Sequence, residues 1–241
     1  MSKAFFGPQP VKASTLPTVL YATESGDTAA ISVDDIHQGY LGDCFLLSSI
    51  GELALHDPAM ITSMIHANSN GTETVRLYSQ GAHGTLQAHS VTIDNVFSPD
   101  SVNCGSNQDV VGGHKEIWVQ VLEKAYATSL GGYAVINQGG SPADAMQALT
   151  GHSASWMESG SLSLAMLQAD VAANDLIVMD TPSGAASRGM VANHAYMFEG
   201  FKTVGSTLEV KLGNPWGYDN AVVPFSQLSH VISGVNVCHI G

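Results

Sequence analysis

Gln38-Gly39-Tyr40-Leu41-Gly42-Asp43-Cys44-Phe45-Leu46-Leu47 passes from a polar loop loosened by glycine into an uncharged apolar run. No charge follows Asp43 until Glu52, and Leu46, Ile50 and Leu53 form one helical stripe that Phe45 and Leu47 widen. The spacing predicts a helix that starts at or beside Cys44 and is buried nearly all round. A thiol there faces unpaired backbone N–H groups and the positive end of the helix dipole, which favours the thiolate. Asp43 would oppose that, so its side chain is expected to cap the N–H of Phe45 or Leu46. Gln38 lies on the preceding turn. Its amide could join the Cys44 N–H as a two-donor oxyanion hole, or it could simply cap its own loop.

Outward from this segment, 8 Lys and Arg stand against 21 Asp and Glu in 241 residues, a net charge of −13 that argues against nucleic acid as a partner. A hydrophobic share of 44% supplies ample core for one large domain or two intimate lobes, and 25 Gly imply many turns. No apolar run approaches the roughly 18 residues of a membrane span, and residues 1–10 lack an export signal. The default location is therefore the cytoplasm, with signal-independent secretion the alternative. Cys44, Cys104 and Cys238 are an odd set without paired short spacing, so neither a disulfide framework nor a Cys-rich metal site is expected.

Residues 1–26 read as an irregular lead-in. Thr72 to Tyr78 and Thr85 to Ile93 suggest a two-stranded ribbon, 94–113 a loop, 117–130 a helix stopped by Gly131-Gly132, and Ser141-Pro142 the start of a short helix ending at Gly151. Beyond about residue 150 comes a helix over 162–173, then strands at 176–179, 194–198, 208–212 and 235–240. The organisation is α+β: a helical lobe, 27–150, carrying Cys44 and Gln38, and an antiparallel lobe, 151–241.

A partner for the thiol comes from the second lobe. Leu208, Val210 and Leu212 alternate with Glu209 and Lys211, and a hairpin centred near Val204 would set His194 directly opposite Asn214. The amide would then aim the imidazole, with Trp216 lying over the pair to exclude water. The other reading is a solvated histidine and an Asn-Pro turn. Cys104 and Cys238 read as structural, and the remaining histidines form no ligand set.

The Gln38–Leu47 segment resembles the nucleophile segment of the calpain family of papain-like cysteine peptidases. Asn193-His194-Ala195-Tyr196 and Gly213-Asn214-Pro215-Trp216-Gly217 resemble its His and Asn segments, in the same order. Glu116-Ile117-Trp118 through Tyr126 is similar to its second helix, and Gly139-Gly140-Ser141 to the loop after it. Phe45 replaces the usual Trp, Asn193 the usual Gly, and Gly213 the usual Arg.

The resemblance implies a papain-like two-lobe fold in which Cys44 is the nucleophile, His194 the general base and acid, Asn214 its orienting group and Gln38 an oxyanion donor. Gly139, Gly140 and Trp216 would contact the substrate, a protein or peptide. The chemistry itself requires no cofactor. Family members carry calcium in each lobe; Asp35 and Glu123 match two acidic positions of the first-lobe site, while Val33 stands where a basic residue links the lobes. The activity implied is endopeptidase cleavage through an acyl-enzyme. A catalytically silent peptide-binding module and an acyl transferase using the same trio are the alternatives.

Overall fold

A computed structural model describes residues 17–23, 29–81, 84–104 and 110–241. The chain begins with strands β1 (Thr18–Val19) and β2 (Ile36–His37) and helices α1 (Cys44–His56) and α2 (Pro58–Met64). Strands β3 (Ile65–Ala67), β4 (Thr72–Gln80), β5 (Leu86–Asp94), β6 (Asn103–Cys104), β7 (Val110–Val111) and β8 (His114–Glu116) follow. Three helices then come together, α3 (Trp118–Leu130), α4 (Tyr133–Ile136) and α5 (Pro142–Thr150). The remainder is β9 (Ala154–Glu158), α6 (Leu164–Ala172), β10 (Leu176–Asp180), β11 (Ala195–Val204), β12 (Thr207–Gly213), β13 (Ala221–Pro224), α7 (Phe225–Val231) and β14 (Gly234–Cys238).

As its apolar composition requires, α1 is buried from Phe45 through Ala54. The predicted ribbon is the β4–β5 hairpin, running from Thr72 opposite Asp94 to Gln80 opposite Leu86, and β3 adds a third strand, Ile65–Ala67, too short to show a period. Helix α5 starts as expected, with the Ser141 hydroxyl accepting from the Asp144 N–H and Pro142 in the first turn.

Two expectations fail here. Part of the lead-in is ordered, because β1 pairs in parallel with β8 through Thr18 and Lys115; residues 1–16 and 24–28 lie outside the described residues. The expected 94–113 loop also contributes β6, which pairs with β2 and buries Cys104 completely. The first part of the chain is thus mixed rather than mainly helical.

Six antiparallel strands form the second sheet, in the order β13-β12-β11-β10-β14-β9. Alternation along β10 sends Leu176 and Val178 into the core built around α1, α3 and α5, and Ile177 and Met179 into a second core with Leu167 of α6 and Leu228 of α7. One face of the sheet therefore serves as the floor on which α1 rests.

The β11–β12 hairpin corrects the predicted register. Its turn is Gly205-Ser206, with Val204 opposite Thr207, rather than centred on Val204. Gly205 takes φ 60°, which a two-residue hairpin turn needs at its first position. An irregularity between Phe198 and Gly200 shifts the ladder once more, so that Met197 faces Gly213. Carried outward, that register sets His194 opposite Trp216, not Asn214.

Candidate active site

Cys44 is the first residue of α1 and half-buried. The loop before it can lie close to the 98–101 segment only because residue 39 lacks a side chain: a Cβ there would fall 2.1 Å from the Ser101 carbonyl oxygen. Tyr40 and Leu41 then donate their N–H groups to the Asp100 carbonyl at 2.9 and 3.2 Å. From the other lobe, the Pro215 carbonyl accepts the Gln38 N–H at 2.8 Å.

His194 sits just beyond the end of β11, where its backbone is clamped to Thr181. Its N–H donates to Thr181 Oγ1 at 2.9 Å and its carbonyl accepts the Thr181 N–H at 2.8 Å. Asn193 precedes it at φ 49°, the left-handed region in which glycine or asparagine sits most easily, so the change from the family's usual Gly keeps the backbone path.

His194 Nε2 lies 2.9 Å from Asn214 Oδ1, so the two residues meet although they are not direct cross-strand partners. Diagonal neighbours on a twisted ladder remain within side-chain reach. The Trp216 N–H donates to the same Oδ1 at 3.0 Å, which identifies that atom as the oxygen. Nε2 therefore carries the hydrogen, and Nδ1 is the basic nitrogen. Trp216 tilts over the imidazole with ring centroids 5.1 Å apart, and Tyr196 meets it edge-on at 5.1 Å. His194 is 7% exposed and Asn214 2%.

A cleft of about 230 Å³ is lined by Cys44, Phe45, Gly139, Gly140, Asp180, Thr181 and His194. The two predicted glycines thus belong to it. Residue 140 must be glycine, because a Cβ would strike the Phe45 ring at 2.6 Å. Asp180 and Thr181 were not foreseen. Burial pushes the Asp180 carboxyl up to about 6, opposed by the bond it accepts from Asn236 Nδ2 at 2.8 Å.

Burial also overturns the expected charge state of the nucleophile. The thiol is pushed up to about 11, chiefly by loss of water and in part by the Asp43 and Asp180 charges, against the opposing pull of the Ala195 and Phe45 backbone dipoles. Burial lowers His194 to about 4 against the opposing pull of Asn214. At neutral pH both groups are uncharged; the helix terminus is outweighed by the packing around it.

Asp43 caps α1 with its carbonyl, which accepts from Leu46 and Leu47, and its side chain makes no capping bond. Its carboxyl is buried instead, and loss of water pushes it up to about 7 and holds Glu123 of α3, which feels the Asp43 charge, well above the usual carboxylate range. Gln38 is drawn into the same cluster. Its Nε2 donates to the Leu41 carbonyl at 2.8 Å and to Asp43 Oδ1 at 3.2 Å, so both amide hydrogens are occupied away from the cleft. The loop-capping alternative describes this arrangement.

The acidic residues matched to a calcium site are likewise committed. Asp35 accepts from the Trp118 indole at 3.0 Å and the Ser32 N–H at 2.7 Å, while Glu123 Oε1 accepts the Val102 N–H at 2.8 Å. Among the described residues no group of three or more His, Cys, Asp or Glu side chains is arranged to hold a metal. No helix of the described residues is long and apolar enough to cross a membrane.

Comparison with known proteins agrees with this geometry. The profile of the "Calpain family cysteine protease" family matches residues 21–235. Human "Calpain-9" is 30% identical over 200 residues, covering 76% of this chain and 28% of that protein. Rice "Calpain-type cysteine protease ADL1" is 29% identical over 212 residues, covering 78% of this chain and 9% of that protein. "Calpain clp-1" of Caenorhabditis elegans is 27% identical over 208 residues, 76% of this chain and 25% of that protein. The chain spans less than a third of the length of these relatives. A profile match over most of the chain, together with the α+β papain-like two-lobe core, establishes that it belongs to the calpain family of cysteine proteases.

Proposed function

We propose that the protein is a cysteine endopeptidase acting on protein substrates through Cys44, His194 and Asn214. The observation that carries this is the imidazole that shares a cleft with Cys44 while its Nε2–H is tied to Asn214, which leaves Nδ1 as the base. Because thiol and imidazole start neutral, the sulfur gives its proton to Nδ1 as it attacks the peptide carbonyl carbon. The carbonyl oxygen, now negative, is held by the Cys44 N–H, with Gln38 as second donor once its Nε2 leaves the Leu41 carbonyl. Collapse breaks the C–N bond, and His194 returns the proton to the leaving amine. Water, deprotonated by Nδ1, then hydrolyses the thioester and restores the thiol.

Incubation of the purified protein and its Cys44→Ala variant with an unfolded protein, with and without a calcium chelator, tests the proposal. Fragments with new termini from the wild type alone are expected, in both conditions. Amide exchange without new termini would mean acyl transfer, and retention of intact peptide would mean binding only; either result removes the peptidase assignment.

A further inference from the structure

Cys44, Ser48 and Glu52 recur at four-residue intervals along one row of α1, and Ser48 and Glu52 bond the backbone of the opposite lobe. Ala195 lines the same cleft as Cys44. The Ser48 hydroxyl donates to the Ala195 carbonyl at 3.0 Å. Glu52 Oε1 accepts the Phe198 N–H at 2.6 Å, and its Oε2 accepts the Ile177 N–H of β10 at 2.9 Å. Between these bonds Gly51 lets Met197 approach so closely that a Cβ would stand 2.0 Å from its sulfur. About 12 Å of helix thereby lies against about 10 Å of β11.

Glu52 is the unexpected member of this row. It is 0% exposed, and burying a carboxyl is costly unless its oxygens are bonded. Burial holds it well above the usual carboxylate range, with Glu199 of β11 adding to the effect and His56 Nε2 3.5 Å away on α1. An apolar side chain would fill the space more cheaply, so the bonds themselves account for the acid. They fix how far α1 can slide along β11, and β11 begins immediately after His194.

We propose that Glu52 is a positioning residue for the reaction, its carboxyl setting α1 against β10 and β11 and so holding the Cys44 thiol beside His194; this rests on the cysteine-peptidase reading above. The test uses Glu52→Ala and Glu52→Gln, each measured for cleavage kinetics and for iodoacetamide labelling resolved by residue with mass spectrometry. In Glu52→Ala, kcat should fall at least about tenfold with KM within about twofold, since small misplacements of reacting groups are costly. Cys44, released from its enclosed position, should label severalfold faster while buried Cys104 and Cys238 remain protected. Glu52→Gln keeps one acceptor but turns an amide N–H against a backbone N–H, and should fall between wild type and Glu52→Ala. Unchanged kcat and labelling in Glu52→Ala overturn the proposal. So does simultaneous exposure of all three cysteines in both variants, which would make Glu52 a general support of the fold. If the wild type cleaves nothing, the peptidase reading fails by itself, and the labelling contrast still decides the role of Glu52.

Discussion

With water shut away from His194, its imidazole stays neutral to about pH 4 instead of 6.5. NMR titration of that ring should show no protonation between pH 5 and 7, about; a midpoint near the ordinary histidine value would contradict the burial. The sign for stability follows. The unfolded chain takes up this proton near 6.5 and the folded chain only near 4, so His194's contribution is full above 6.5 and is lost as pH falls across that interval. Asn214→Ala removes the acceptor that fixes the Nε2–H tautomer, and kcat should drop by roughly 10–100-fold with the fold retained, as measured by circular dichroism alongside cleavage. That Cys44, His194 and Asn214 come together was legible through the resemblance of their three segments to one family, whereas the hairpin register offered for His194 and Asn214 is not the one formed. The burial of Asp43 was not legible, because Glu123 beside it comes from a distant helix, and a neighbour across the fold decides whether a carboxyl caps or buries.

Helix α1 shows how packing governs an element. Its apolar run revealed burial on all sides, but not that Ser48, Gly51 and Glu52 form the row facing β11. A lone acid four residues past Ser48 and eight past Cys44 was the available signal. Gly51→Ala should lower stability by about 1–3 kcal/mol in urea unfolding, the usual cost of overpacking. Met197→Ala, which removes the colliding sulfur, should recover part of that loss in the double variant. The β11–β12 hairpin teaches the complementary lesson. Alternation identified both strands, yet Gly200, Gly205 and Ser206 permit more than one turn, and the irregularity after Phe198 adds a shift that periodicity cannot register.

Across the whole molecule, two hydrophobic cores share the central sheet, and the first draws Leu176, Val178, Ala195 and Cys238 from the second half of the chain. Small elements escaped detection: β3 and β13 are too short for periodicity to speak, and the helical turn of α7 follows directly from Pro224. Sheet order was beyond sequence reasoning altogether. Strand β14 is inserted between β10 and β9, pairing Leu176 with Cys238 on one side and Ala154 with Cys238 on the other. Removal of residues 233–241 should therefore abolish cooperative thermal unfolding, whereas a peripheral strand would leave a transition. The late position of β14 also bears on timing during synthesis. A ribosome must release the chain through Cys238 before the sheet beneath α1 can close, so the growing polypeptide gains its finished cleft only late in synthesis.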